Sequence, residues 1–116
     1  MDKVFIQGLK IDTVIGIYDW EREIRQDIII DLEMAADIKA ASLTDHIDQT
    51  LDYKSVAKRL IQFVKDSEFQ LVETLAEKIT EIILNEFDVK WVKLKLNKGA
   101  AISGARGVGV KIERSK

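Results

Sequence analysis

The sequence predicts an α+β fold, a four-stranded antiparallel sheet with two helices on one face, in the order ββααββ. Three observations predict it. Apolar residues recur at every second position near both ends of the chain, the period of a strand with one buried face. In the middle they recur every third or fourth position, the period of an amphipathic helix. Segments of one kind are grouped rather than alternated, which favours segregated helices on an antiparallel sheet over βαβ units.

The first strand-like segment is "KVFIQGLKIDTVIGIY", rich in Val, Ile and Phe, with Gly8 as the expected bulge or twist point. The charged stretch "DWEREIRQ" reads as a loop. In "DIIIDLEMAADI", Ile28, Ile30, Leu32, Met34, Ala36 and Ile38 share one face, and Asp27, Asp31, Glu33 and Asp37 the other. The period then changes. Tyr53, Val56, Ala57, Leu60, Ile61 and Val64 form a helical stripe, with Asp52 as its N-cap. A second helix carries Val72, Leu75, Ala76, Ile79, Ile82, Ile83 and Phe87. Ser67 and Gln70 stand at capping-box spacing before it, and a start near Gln70 fits equally well. Two strands, 91–98 and 108–114, close the chain. The loop between them holds Gly99, two alanines, Gly104 and Gly107. With both helices on one face, the other face keeps Phe5, Ile29, Trp91 and several charges uncovered. Open edges and a half-covered sheet in a small chain favour self-association.

The 116 residues fit one domain, 1–116. Apolar residues at 47% and charged residues at 33% are ordinary for a globular protein. A net charge of −2 and no basic stripe argue against nucleic acid as a partner. No apolar run approaches the ~20 residues that span a bilayer, and the start "MDKVFIQG" lacks the apolar core of a signal peptide. No cysteine is present, so a reducing compartment, the cytoplasm, is the expected location. One histidine and no cysteine exclude a structural zinc site and nearly exclude the common catalytic zinc sets. His46, in the polar stretch "SLTDHIDQ", reads as a solvated loop residue.

Four polar residues stand where strands and helices begin or end: Glu21, Tyr53, Glu73 and Lys98. Val92, Leu94 and Leu96 point one way along their strand, and the same period puts Lys98 on the apolar side. An unpaired buried ammonium is costly, so the position asks for a reason. Taken singly, each residue has an ordinary explanation. Glu21 reads as a solvated loop charge and Tyr53 as the first core residue of its helix. Glu73 reads as an acid stabilised by the helix N-terminus, worth ~0.3–1 kcal/mol. Lys98 reads as a strand-end lysine whose ammonium reaches water.

Together the four sit in segments with a shared resemblance. "IGIYDWERE", "TLDYKSV", "FQLVETLAEKI" and "LKLNKGA…GVGVKIER" resemble, in order and spacing, the dihydroneopterin aldolases of folate biosynthesis. The resemblance covers essentially the whole chain. It implies the tunnelling fold, also ββααββ, in which subunits pool their sheets into a barrel. It implies retro-aldol cleavage of 7,8-dihydroneopterin, with C2′ epimerisation as a side reaction, and no cofactor or metal. Lys98 would be the general base and Tyr53 the acid that protonates C1′. Glu21 would bind the substrate's side-chain hydroxyls or order water. Glu73, with the first-turn N–H groups around Val72, would hold the pterin edge. The partners implied are a small pterin and further copies of the chain: a homo-octamer, with a tetramer as the alternative, and sites shared between subunits. The related dihydroneopterin triphosphate epimerases share fold and pattern. That reading needs a cationic patch, for which Arg22, Arg25 and Arg106 are the candidates. A third reading is a non-catalytic oligomeric pterin-binding module, against which the joint presence of Lys98 and Tyr53 counts. The family usually has proline after the lysine, where this chain has Gly99, and the lysine backbone is therefore expected to be less fixed.

Overall fold

The computed structural model describes residues 1–99 and 102–116. Four strands, β1 (Lys3–Thr13), β2 (Gln26–Ala35), β3 (Trp91–Asn97) and β4 (Gly109–Ser115), form one antiparallel sheet in the order β1-β2-β3-β4. The alternation in β2 sets its register, because Ile28, Ile30, Leu32 and Met34 are all fully buried on one face. β1 reaches the same face only by changing parity. Val4 and Ile6 pack on the core before the irregularity between Ile6 and Leu9; Leu9 and Ile11 do so after it. Gly8 makes that bulge at φ +71, and its N–H donates to Asp31 Oδ1 at 2.7 Å.

Two long helices cover this face. α3 (Tyr53–Asp66) starts as expected at Asp52, whose carboxylate accepts the N–H groups of Lys54 and Ser55. α4 (Val72–Glu86) buries Leu75, Ala76, Ile79, Ile82 and Ile83. Arg59 of α3 pairs with Glu86 at the C-terminal end of α4 at 2.8 Å, while Phe63, further along α3, packs against Phe69 in the connection that leads into α4. They therefore run antiparallel.

The structure corrects three details. Two short helices interrupt predicted loop and strand: α1 (Asp19–Arg22) within "DWEREIRQ", and α2 (Ile38–Thr44), followed by a 3-10 turn at Ile47–Gln49. β2 stops at Ala35 because its partners run out there: Lys3 opens β1 opposite Ala35, and Val92, opposite Met34, is the last residue of β3 that pairs with β2. Asp37 then caps α2 through the Ala40 N–H, and Ile38 is 41% exposed. Ser67 does not cap α4. It closes α3, and its hydroxyl donates to the Val64 carbonyl. The uncovered face is as expected. It carries exposed Phe5 and cross-strand pairs such as Lys3–Glu33 and Lys10–Asp27, both at 3.6 Å.

Candidate active site

One end of the sheet gathers most of the singled-out residues. Thr13 ends β1, Gln26 begins β2 and Lys98 follows β3, all with the parity that faces the helices. The loop between α3 and α4 closes over this end, and Thr13 Oγ1 donates to the Ser67 carbonyl at 2.9 Å.

Glu21 is the inward-facing residue of α1 and is 3% exposed. The solvated-loop reading is thus wrong. Gly16 makes room for it: at φ +129, a Cβ on Gly16 would run into the Glu21 carboxyl. Three donors hold the carboxylate. The Tyr18 N–H reaches Oε1 at 3.3 Å, while Gln26 Nε2 and Lys98 Nζ reach Oε2 at 3.1 and 2.6 Å. Burial pushes the Glu21 carboxyl up, but the bonds from Lys98, Gln26 and Tyr18 together outweigh it. The group ends below the usual glutamate range.

Lys98 does not reach out to water. Its side chain is 15% exposed and that of Glu21 4%, so the pair is largely desolvated. Its surroundings are ionic rather than merely apolar. Its backbone is fixed as well, since the Lys98 N–H donates to the Val108 carbonyl at 2.7 Å and extends the β3–β4 ladder by one step. Gly99 follows at φ +82, with its N–H on Asn97 Oδ1 at 2.7 Å. The two alanines after it lie outside the described residues.

Arg22 and Arg25 are committed elsewhere than to a phosphate patch. The Arg22 guanidinium donates to the carbonyls of Gly16, Glu68 and Phe69. Arg25 grips the Asp12 carboxylate and the carbonyls of Asp12 and Lys65. Of the three expected arginines, Arg106 is the one left exposed without such a bond among the described residues.

Through Arg22, the Glu21–Lys98 pair is tied to the loop that leads into α4. Glu73 stands exposed in the first turn of that helix, next to half-buried Val72. The N-cap, Leu71, offers no side-chain acceptor, so the first-turn N–H groups keep their donor capacity for a ligand.

Tyr53 is elsewhere. It is 54% exposed rather than core, and it opens α3 beside the C-terminal end of α4, where Asp52, Glu86 and Phe87 line one cleft. Glu73 lies thirteen residues back along α4, roughly 20 Å at ~1.5 Å per residue. Within one protomer, the structure brings together Glu21 and Lys98, places the α4 start at the same end, and leaves Tyr53 at the other. His46 is exposed in its loop, as read. Sequence reasoning missed Gln26, although the period that placed Lys98 inward also places Gln26 on the face of Ile28. Among the described residues, no group of three or more His, Cys, Asp or Glu side chains is arranged to hold a metal ion. No helix among them is long and apolar enough to cross a membrane.

A buried carboxylate–lysine pair beside an uncapped helix start can bind a polar heterocycle and move protons on it. Comparison with known proteins names that chemistry. The family model for FolB, dihydroneopterin aldolase, matches residues 4–113. The chain belongs to the dihydroneopterin aldolase family. The dihydroneopterin aldolase of Escherichia coli K12 is 42% identical over 98% of this chain and 93% of its own length. That of Haemophilus influenzae is 40% identical over 98% and 97%. A FolB crystal structure from Vibrio cholerae superposes with a TM-score of 0.98 at 44% identity, covering 100% of this chain and 98% of that one. The E. coli dihydroneopterin aldolase crystallised with neopterin gives 0.97 at 42% identity, covering 99% and 100%. The chain is thus a dihydroneopterin aldolase-family enzyme of folate biosynthesis, and its ββααββ sheet with helices on one face is the family fold.

Proposed function

We propose that this chain, as a single cytoplasmic domain, cleaves the C1′–C2′ bond of 7,8-dihydroneopterin to give 6-hydroxymethyl-7,8-dihydropterin and glycolaldehyde, without a metal. The observation that carries the site assignment is the desolvated Glu21–Lys98 pair, 2.6 Å apart and tied to the start of α4. Retro-aldol cleavage leaves an electron pair at C1′. The N5=C6 imine of the dihydropterin ring can hold it, so neither a lysine Schiff base nor a metal is required. The Glu73 carboxylate accepts the two parallel donors of the pterin edge, N3–H and the 2-amino group. The first-turn N–H groups around Val72 donate to the pterin carbonyl.

As the neutral amine that a general base must be, Lys98 Nζ has two N–H donors and one lone pair, and Glu21 takes one of the donors. The other N–H points to N5, and the lone pair faces, directly or through water, the 2′-hydroxyl whose proton must leave. Lys98 acts there as general base. Glu21, held below the ordinary glutamate range, is a weak acceptor for that proton, so water carries it away. About four acceptor positions surround a carboxylate; three are filled by Tyr18, Gln26 and Lys98, and the fourth receives a substrate hydroxyl or the ordered water. Tyr53 returns a proton to C1′. Because it stands at the far end of the protomer, it comes from a neighbouring subunit. Re-addition of glycolaldehyde after rotation gives C2′ epimerisation as a by-path. The assembly proposed is a homo-octamer, with a tetramer as the alternative, supported by the open edges β1 and β4 and the uncovered sheet face. The test is to incubate pure protein, in EDTA, with dihydroneopterin or its triphosphate. Glycolaldehyde from dihydroneopterin is expected. Activity lost on chelation and restored by zinc would overturn the metal-free route.

A further inference from the structure

We propose that Arg22 is a positioning residue that sets the alignment between the two halves of the site. The reaction makes an unusual demand on geometry. The pterin is anchored by one edge, at the start of α4, while the bond that breaks lies on the opposite side of the ring, beside Lys98. Two separate segments must therefore hold a fixed spacing, and no regular hydrogen-bond ladder joins them. α1 belongs to the β1–β2 connection, and residues 67–71 to the α3–α4 connection. One guanidinium spans the gap. Arg22 Nη1 donates to the carbonyls of Gly16 and Phe69, both at 3.0 Å, and Nη2 donates to the carbonyl of Glu68. Gly16 is the residue against which the Glu21 carboxyl packs. Phe69 and Glu68 precede the α4 N-cap, Leu71, by two and three residues. Arg22 itself is half-buried and sits next to Glu21 in α1.

The planar fork suits this task, because its donors diverge in fixed directions toward carbonyls on two segments. A lysine ammonium gathers its donors at one point and cannot reproduce the span. Loss of the staple leaves each half intact: Glu21 keeps Lys98, Gln26 and the Tyr18 N–H, and Glu73 keeps its helix. What changes is their relative placement. A misplacement of about 1 Å costs on the order of 100-fold in rate when geometry is part of catalysis.

The proposal rests on the aldolase reading above, and its test separates the two. Cleavage of dihydroneopterin by wild type, Arg22→Gln and Arg22→Lys is measured beside binding of neopterin by fluorescence and thermal unfolding. Both variants are expected to bind neopterin within about threefold of wild type while kcat falls by roughly 10- to 100-fold. Millimolar guanidinium, which refills the fork, should restore part of the kcat of an Arg22→Ala protein, and methylammonium should not. Wild-type kcat in folded variants overturns the positioning role and leaves the aldolase reading standing. So does a kcat that falls only in step with the folded fraction, or with neopterin affinity. A folded wild type that releases no glycolaldehyde overturns both.

Discussion

Glu21 and Lys98 lie 77 positions apart in the chain and 2.6 Å apart in space. Their pairing turns two ordinary charges into a desolvated unit, and its energetics follow from burial. Truncating one partner leaves the other a buried charge without its counter-ion, which costs about 3–5 kcal/mol. Lys98→Met and Glu21→Gln should each lower the thermal midpoint, and Lys98→Met should abolish most turnover. A Lys98→Met protein with wild-type kcat would remove the general base from the mechanism. The pair also fixes a pH dependence. Because the folded Glu21 carboxyl sits below its ordinary range, its contribution to stability is fully present above that range. It is lost as pH falls through the lowered value and the carboxylate takes up a proton. Thermal midpoints across acidic pH should therefore fall more steeply for wild type than for Glu21→Gln. At Glu73 the expected change is in binding. Glu73→Gln replaces one of two acceptors with a donor that faces a donor, so neopterin affinity should drop by the equivalent of about 1–3 kcal/mol while kcat changes less. Equal losses in both would remove the pterin anchor from Glu73. None of the burial at Glu21 was legible in "DWEREIRQ", whose local pattern is that of a solvated loop. Burial there depends on Lys98 and Gln26, which only the folded chain brings near. The inward parity of Lys98, by contrast, could be read from Val92, Leu94 and Leu96 alone.

Elements were legible where a period ran long enough to establish itself. β2, α3 and α4 each show four or more residues of one stripe, and burial imposes that stripe. α1, with four residues, and α2, with seven, are too short to display one. α2 is instead specified by the Asp37 cap and the end of strand pairing, which needs knowledge of the partner strands. The bulge at Gly8 was legible because only glycine adopts its φ without strain. The turn after β3 carries Gly99 where the family resemblance led to the expectation of proline. Gly99 stands at φ +82, whereas proline is confined near −65°. Its N–H is also used, by Asn97 Oδ1. The expectation that glycine would loosen the Lys98 backbone is answered by the Val108 carbonyl, which holds the Lys98 N–H. Gly99→Pro, although it installs the residue that the resemblance implies there, should therefore lower stability by about 1–3 kcal/mol and reduce kcat by disturbing Lys98. A calorimetric midpoint at or above wild type would show that the turn has a second conformation compatible with proline.

At the scale of the whole molecule, the proposed reading leaves one protomer with an incomplete site. Glu21, Lys98 and the start of α4 share one end, and Tyr53 stands roughly 20 Å from Glu73 along the helix layer. Tyrosine exposed at a helix start, with no contact that uses its hydroxyl among the described residues, is what a donated residue looks like in the isolated donor. The sheet supplies the means of donation. Its edges, β1 and β4, are unpaired in the protomer, and edge-to-edge closure into a barrel would satisfy both. In the proposed assembly, four protomers of four strands would close one ring, and two rings stacked end to end would give an octamer. A shared site makes a prediction that no single-chain site can meet. Tyr53→Phe and Lys98→Ala proteins, each nearly inactive in cleavage, are dissociated, mixed and reassembled. Interfaces that join Lys98 of a Tyr53→Phe subunit to Tyr53 of a Lys98→Ala subunit carry both wild-type residues. With random mixing of equal amounts, about a quarter of the interfaces are of this kind, so roughly a quarter of wild-type activity should return. Mass spectrometry of the intact assemblies verifies that the two variants have mixed. Tyr53→Phe alone should lose cleavage more than epimerisation, since only cleavage needs a proton at C1′. Verified mixed oligomers without recovered activity, or full activity in a stable monomer, would place Tyr53 outside the chemistry and return the site to a single protomer.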